Sequence, residues 1–176
     1  MDHQNPFPFV LSRLLPNSPA AVFAAWTQLQ ALAAWWGPAS HQTLVQQLDL
    51  SPGGFFHYCH QGPDGAQLWG RFEYLDISAP VQLSFINAFS DENCGLVPAP
   101  FGMPWPTEMY NVLSLTAEED GHCRMTLQAR AHHATPEEEA NYLAMVGSMV
   151  QSFGQTFDRL EGYLGLGGPK VPGFQG

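Results

Sequence analysis

A chain of 176 residues with a net charge of -10 carries only six basic side chains, Arg13, Arg71, Arg124, Arg130, Arg159 and Lys170, and no two of them are adjacent. That excludes the clustered positive charge on which nucleic-acid binding and attachment to anionic membranes depend. Charged residues make up 12% of the chain and hydrophobic ones 45%; the charged share is below the average of about 25%, which leaves sticky ground on the surface and makes a homodimer an allowed outcome.

Residues 7–15 read as a first strand. Ser18 followed by Pro19 starts a helix by the cap-then-proline rule. Val22, Phe23, Trp26, Leu29, Leu32, Trp35 and Trp36 then mark one or two short helices, broken near residues 27–29 and ended by Gly37-Pro38. Residues 41–50 alternate loosely and lead to the turn Ser51-Pro52-Gly53-Gly54. Residues 55–61 form the next strand, followed by a turn that holds Asp64-Gly65, the strongest hairpin dipeptide in the chain. Strands 67–77 and 81–89 meet at Ala79-Pro80. Residues 90–107 form a long loop with four prolines that also carries Phe101, Met103 and Trp105, more apolar mass than a solvated connection needs. Strands 108–118 and 122–133 make a last hairpin around Glu119-Asp120-Gly121.

A helix follows over residues 135–164. Thr135, Pro136 and Glu138 supply a capping box and an N1 proline. Leu143, Val146, Val150, Phe153, Phe157, Leu160 and Leu164 recur in steps of three and four as one apolar stripe. Such a rod needs a surface to lie on. The consecutive strands predict a curved antiparallel sheet with the helices on one face. The fold class is therefore α+β, in the order β-α-α-β6-α, as one domain over residues 1–164 with a loose tail over 165–176. One long helix across one curved sheet encloses a space, and function is sought there.

Cys59, Cys94 and Cys123 are far apart and odd in number, so neither a disulfide framework nor a Cys-x-x-Cys site is expected. The start MDHQNPFPF has no basic region or apolar run, and no stretch approaches 18 apolar residues. The expected setting is the cytoplasm, without membrane insertion. No phosphate-binding glycine signature, Gly-x-Ser-x-Gly or Ser-x-x-Lys occurs, and no cofactor is expected. His57 and His60 lie at an odd offset, as do His132 and His133, so each pair points to opposite faces of its strand and no metal site is expected.

Several side chains are candidates for lining the enclosed space. Of Trp35 and Trp36, one ring plugs the small-helix end and the other packs on the sheet or covers the mouth; Trp36 is the candidate for ligand contact. Strand 67–77 puts Phe72 on one face with Leu68, Gly70 and Tyr74. Phe85 is the lining candidate of strand 81–89. Strand 108–118 puts Glu108 and Tyr110 on one face, and Glu108, if buried, would be an acid or base. His132, at the end of its strand, is a candidate for facing a ligand. Met145, Met149 and Phe153 sit a turn apart on the long helix, and methionines adapt to irregular ligands. Phe101 and Trp105 belong to a loop that reads as a lid.

The element order resembles the helix-grip fold of the START-like superfamily, which includes Bet v 1-like proteins and polyketide cyclases. More closely, the chain resembles the AHA1-type branch, bacterial proteins akin to the C-terminal domain of the Hsp90 ATPase activator. The likeness runs over residues 8–164. It rests on Pro19-Ala-Ala-Val-Phe-Ala-Ala-Trp-Thr27, Leu32-Ala-Ala-Trp-Trp-Gly-Pro38, Asp49-Leu-Ser-Pro-Gly-Gly54, Asp64-Gly65 with Gly70-Arg-Phe-Glu-Tyr-Leu75, and Ala79-Pro80 with Leu83-Ser-Phe85. The resemblance implies a cavity between the sheet and the long helix. It also implies that Phe56, Tyr58 and His60 face inward on strand 55–61, whose two faces the alternation alone leaves open. The expected function is binding of a small apolar or aromatic molecule. A polyketide cyclase or hydrolase-like enzyme in the same cavity, and a chaperone-associated or other interaction module, are the alternatives.

Overall fold

The computed structural model describes residues 7–165. The elements are β1 (Phe9–Leu15), α1 (Pro19–Thr27), α2 (Leu29–Trp35), β2 (Gln42–Leu48), β3 (Phe55–Gln61), β4 (Gln67–Ser78), β5 (Gln82–Phe89), β6 (Glu108–Ala117), β7 (Cys123–His132) and α3 (Pro136–Gly165). The tail expected beyond residue 165 lies outside the described residues, as do residues 1–6.

Local chemistry sets the boundaries. The Ser18 hydroxyl accepts from the Ala21 amide at the start of α1, and Gln28, in extended conformation, separates α1 from α2. Gly37 follows α2 with φ of +104°, a backbone that glycine adopts without steric cost. At α3 the capping box closes both ways: the Glu138 amide donates to Thr135 Oγ1, and the Glu138 carboxylate accepts from the Thr135 amide.

The seven strands pair antiparallel in the order β1-β7-β6-β5-β4-β3-β2. This is a meander from β2 to β7, with β1 returning along β7. All three helices lie on the inner face, which gives the helix-grip arrangement. The segment after β5 folds back over the outer face. There His57 Nε2 donates to the Asp91 carbonyl at 3.0 Å, the His57 ring stacks on Trp69, and Arg71 donates to the Cys94 carbonyl. This strap buries His57 and Cys59, so β3 is covered on both faces.

The core sits toward one end of the inner face, around Trp26. Its ring meets Trp35 edge-on at 4.9 Å and Phe157 at 6.0 Å, and its indole N–H donates to Met125 Sδ. Burying aromatics of this size is worth several kcal/mol in total. Phe157, Leu160 and Leu164 carry the C-terminal half of α3 into this cluster. Two arginines fix the same half. Arg159 donates to the carbonyls of Ala34, Gly37 and Pro38 at the end of α2, at 2.7–3.0 Å, where a cation also complements the helix dipole. Arg13 on β1 binds Asp158, Glu161 and the Gly154 carbonyl, each at 2.9 Å.

The stripe on α3 needs one correction. Leu143, expected to face inward, is 51% exposed, whereas Tyr142 is fully buried. Tyr142 donates to the Ala129 carbonyl at 3.2 Å and packs edge-on against Trp105. An aromatic ring with a polar tip reaches the sheet from one position earlier and sets the helical phase. Between Tyr142 and Phe157 no residue of α3 is fully buried. The helix is thus seated at both ends and spans about 22 Å between its supports.

The Arg159 contacts are testable. Arg159→Met removes three charge-assisted hydrogen bonds and is expected to cost about 1–2 kcal/mol, a fall in Tm of about 3–8 °C by thermal denaturation. An unchanged Tm would mean that these bonds do not hold α3 to α2.

Candidate functional site

The span of α3 between its supports roofs a two-lobed cavity. The smaller lobe, about 440 Å³, lies between α3 and the strands β1, β5, β6 and β7; Met145, Ser148, Met149, Ser152 and Phe153 form its roof, and Phe9, Met109 and Asn111 lie on its floor. The larger lobe, about 730 Å³, lies toward α2, β3 and β4 and is lined by Trp36, Tyr58, His60, Gly70 and Phe153, among others. Asn87, Phe89, Phe101, Trp105, Met109, Ser152 and Phe153 line both lobes, so the two adjoin. Each falls within the usual range of small-molecule sites, about 300–1,000 Å³. Neither is lined by any Asp, Glu, Lys or Arg.

The proline-rich loop supplies part of the wall. Phe101 and Trp105 meet edge-on at 5.2 Å, Phe101 packs on Phe89 at 5.5 Å, and Asn141 of α3 donates to the Pro104 carbonyl at 2.8 Å. Half of Phe101 remains exposed, so this wall borders solvent.

The polar groups of the larger lobe come from β3. Tyr58 is buried, and its hydroxyl lies where a Cβ on Gly70 would be, 2.5 Å from that position. Glycine at 70 is what allows the ring to lie across β4. Burial pushes the Tyr58 phenol up to about 12, with the nearby Trp36 N–H opposing. The Trp36 indole nitrogen is itself buried and outside hydrogen-bond geometry.

His60 is tied more firmly. Thr43 has one hydroxyl proton, and it is donated to the Trp36 carbonyl. The contact of 3.1 Å between Thr43 Oγ1 and His60 Nδ1 must therefore carry the imidazole's own proton. That fixes the tautomer: Nδ1 is protonated and Nε2 keeps its lone pair. Burial, with His41 and Arg159 nearby, drives the His60 pKa down to about 4. Gly37 presses against the ring, since a Cβ there would lie 2.3 Å from Cε1.

A second polar pair lies under the boundary of the lobes. Asn111 Nδ2 donates to Asn87 Oδ1 at 2.7 Å and to the Met109 carbonyl at 3.0 Å. Both protons of the Asn111 amide are thereby used. Its oxygen, and the nitrogen of Asn87, have no partner among the described residues.

The residues singled out from sequence separate into three groups. Trp36, Tyr58, His60, Phe101, Trp105, Met145, Met149 and Phe153 lie along the cavity. Phe56, Phe72 and Phe85 share the inner face but sit beneath it, packed on one another: Phe72 stacks on Phe85 at 4.2 Å and meets Phe56 at 5.1 Å. Glu108, Tyr110 and His132 lie on the opposite face. Strand parity turns Met109 and Asn111 inward, whereas Tyr110 stacks with Phe7 and lies under the Arg130 guanidinium. Desolvation, with His133 beside it, lowers the His132 pKa. Phe9, Asn87, Met109 and Asn111 were not among the candidates, although β6 carries a readable signal: Met109 shares its parity with Leu113 and Leu115, the apolar face of the strand. Among the described residues no group of three or more His, Cys, Asp and Glu is placed to hold a metal, and no helix is long and apolar enough to cross a membrane.

Known structures share this architecture. A protein from Mycobacterium smegmatis is 26% identical, with a TM-score of 0.69 over 88% of each chain. One from Nitrosomonas europaea is 24% identical, with a TM-score of 0.68 over 90% of this chain and 94% of that one. One from Arthrobacter aurescens is 21% identical, with a TM-score of 0.71 over 95% of this chain and 91% of that one. No curated protein is significantly similar. The family described as "Activator of Hsp90 ATPase homolog 1-like protein" matches residues 16–165, which is nearly the whole of the described fold. The chain belongs to that family, within the START-like, Bet v 1-like group of helix-grip proteins.

Proposed function

We propose that this protein binds an uncharged apolar or aromatic small molecule in the cavity beneath α3. The observation that carries the reading is the lining: two adjoining lobes of about 440 and 730 Å³ without a charged side chain, walled by aromatic and methionine residues with a few fixed polar groups. That is the composition of a small-molecule site. A buried ion would need a partner charge that this lining does not offer. The family match supports the same class.

Acid–base catalysis in the larger lobe would have to run through His60. A ring whose pKa is lowered to about 4 is suited to accept a hydrogen bond at neutral pH and is a poor proton acceptor there. An interface role for the 90–107 loop gains less support than a wall role, because Phe101, Met103 and Trp105 all line the lobes.

Binding is tested by fluorescence titration with N-phenyl-1-naphthylamine, a neutral probe that brightens in apolar surroundings. Saturable enhancement with a Kd of about 1–10 μM is expected, in keeping with a preformed apolar site of this size. Ser152 lines both lobes yet is exposed. Ser152→Trp should therefore fill the cavity, weaken probe binding at least about tenfold and leave Tm nearly unchanged. Equal binding by the variant would place the probe elsewhere.

The state of His60 is testable by ¹⁵N NMR. At pH 7 its Nδ1 should be protonated and its Nε2 bare, with a titration midpoint near 4. The folded pKa lies below the unfolded value of about 6.5. The neutral ring's contribution to stability is therefore complete above pH 6.5 and is lost as the pH falls toward 4. A midpoint near 6.5 would contradict the burial argument.

A further inference from the structure

The larger lobe holds two polar atoms side by side with opposite needs. His60 is only 8% exposed, and its Nε2 is an acceptor because the Thr43 relay commits the ring's one proton to Nδ1. Tyr58, 6% exposed, has no hydrogen-bond acceptor for its phenolic proton among the described residues, so its hydroxyl is a donor. The two rings are neighbours on one face of β3, with centroids 4.8 Å apart, and both line the lobe. Each atom opens on the lobe without a protein partner, so a molecule that covered it without pairing it would lose about 1–3 kcal/mol of binding.

We propose that the larger lobe selects its ligand by a hydroxyl group, which donates to Nε2 of His60 and accepts from the Tyr58 hydroxyl, on an otherwise apolar, uncharged aromatic body. This rests on the reading of the cavity as a ligand site. Other polar groups fit less well. A ketone or ether oxygen only accepts and would leave the His60 lone pair unpaired. A carboxylate would bring its charge against that lone pair with no cation in the lining. An ammonium would meet no carboxylate. A hydroxyl donates and accepts at one atom, as the pair requires. The aromatic body follows from the walls, where Trp36, Phe101, Trp105 and Phe153 offer ring edges and faces. Thr43 is a positioning residue: it does not line the lobe, and it acts only by holding the imidazole tautomer.

The test uses the full chain and two probes of nearly equal shape, 2-naphthol and 2-methylnaphthalene, in calorimetric titrations at pH 7. We expect 2-naphthol to bind about tenfold more tightly. Thr43→Val should weaken 2-naphthol by about threefold to tenfold and leave 2-methylnaphthalene unchanged, and Thr43→Ser should restore the difference. In the unmodified protein, the His60 Nε2 resonance should move on adding 2-naphthol and stay in place on adding 2-methylnaphthalene, a readout that does not depend on the folding of any variant. Equal affinities for the two probes, or a Nε2 signal indifferent to 2-naphthol, would overturn hydroxyl selection and leave the apolar site standing. Failure of both probes to bind would overturn the site as well.

Discussion

The architecture depends on how α3 is supported. It is a stiff rod seated at two places about 22 Å apart: Tyr142 near its start, bonded to the Ala129 carbonyl, and Phe157 with Leu160 and Leu164 in the Trp26 cluster. Arg13 and Arg159 lock the second seat by binding helix, strand and the end of α2 together. A rod held this way cannot sag onto the sheet without giving up one of its buried ends. Between the supports no side chain is fully buried: Val146, Met149, Val150 and Phe153 rest against the edge of the core, and Phe153 meets Phe9 of β1 edge-on at 5.4 Å. Several residues of this span are small or flexible, among them Ser148, Met149 and Ser152, and these line the cavity.

The two halves of the inner face differ in kind for the same reason. Below the second support, tryptophan, phenylalanine and leucine side chains fill the space, and two of the indoles are satisfied locally: Trp26 donates to Met125 Sδ and Trp35 to the Ala25 carbonyl. Beneath the span the side chains are no less apolar, but they touch in pairs, such as Phe9 with Phe153 and Phe89 with Phe101, and leave space between the pairs. Polar atoms persist there in a fixed state: an imidazole locked by Thr43, a phenol lying over Gly70 and an amide pair on β5 and β6. A molecule that covered such groups without pairing them would forfeit the hydrogen bonds they make with water.

Much of the architecture was legible in the residues. The capping signals at Ser18 and Thr135, the break at Gln28, and the turns at Ser51-Pro52-Gly53-Gly54 and Asp64-Gly65 act through local chemistry that a sequence displays directly. Period two likewise groups Phe72 with Leu68, Gly70 and Tyr74 on one face and makes Phe85 a lining candidate. It could not say how deep they sit, because depth is set by what lies across the sheet, so these rings became core. Leu143 continues the apolar stripe yet faces solvent, because the tyrosine one position earlier reaches further and bonds to the sheet. Glu108 and Tyr110 carry the reactive groups of β6, but the parity of Met109 with Leu113 and Leu115 decides the face that turns inward. The roles of Thr43, Asn87 and Asn111 depend on pairings between strands distant in sequence, which no local pattern records.

Around Met149 the helix α3 stands off the sheet and leaves open volume above Met109. The chain's methionines offer a direct measure. Met109 lies on the sheet side and Met149 on the helix side of the cavity, while Met125 is sealed in the filled half. With methyl-labelled methionine and bound N-phenyl-1-naphthylamine, nuclear Overhauser contacts should run from the probe to both Met109 and Met149 and not to Met125. Strong contacts between the Met109 and Met149 methyls themselves, with none to the probe, would mean that the helix rests on the sheet and that the cavity does not exist in solution.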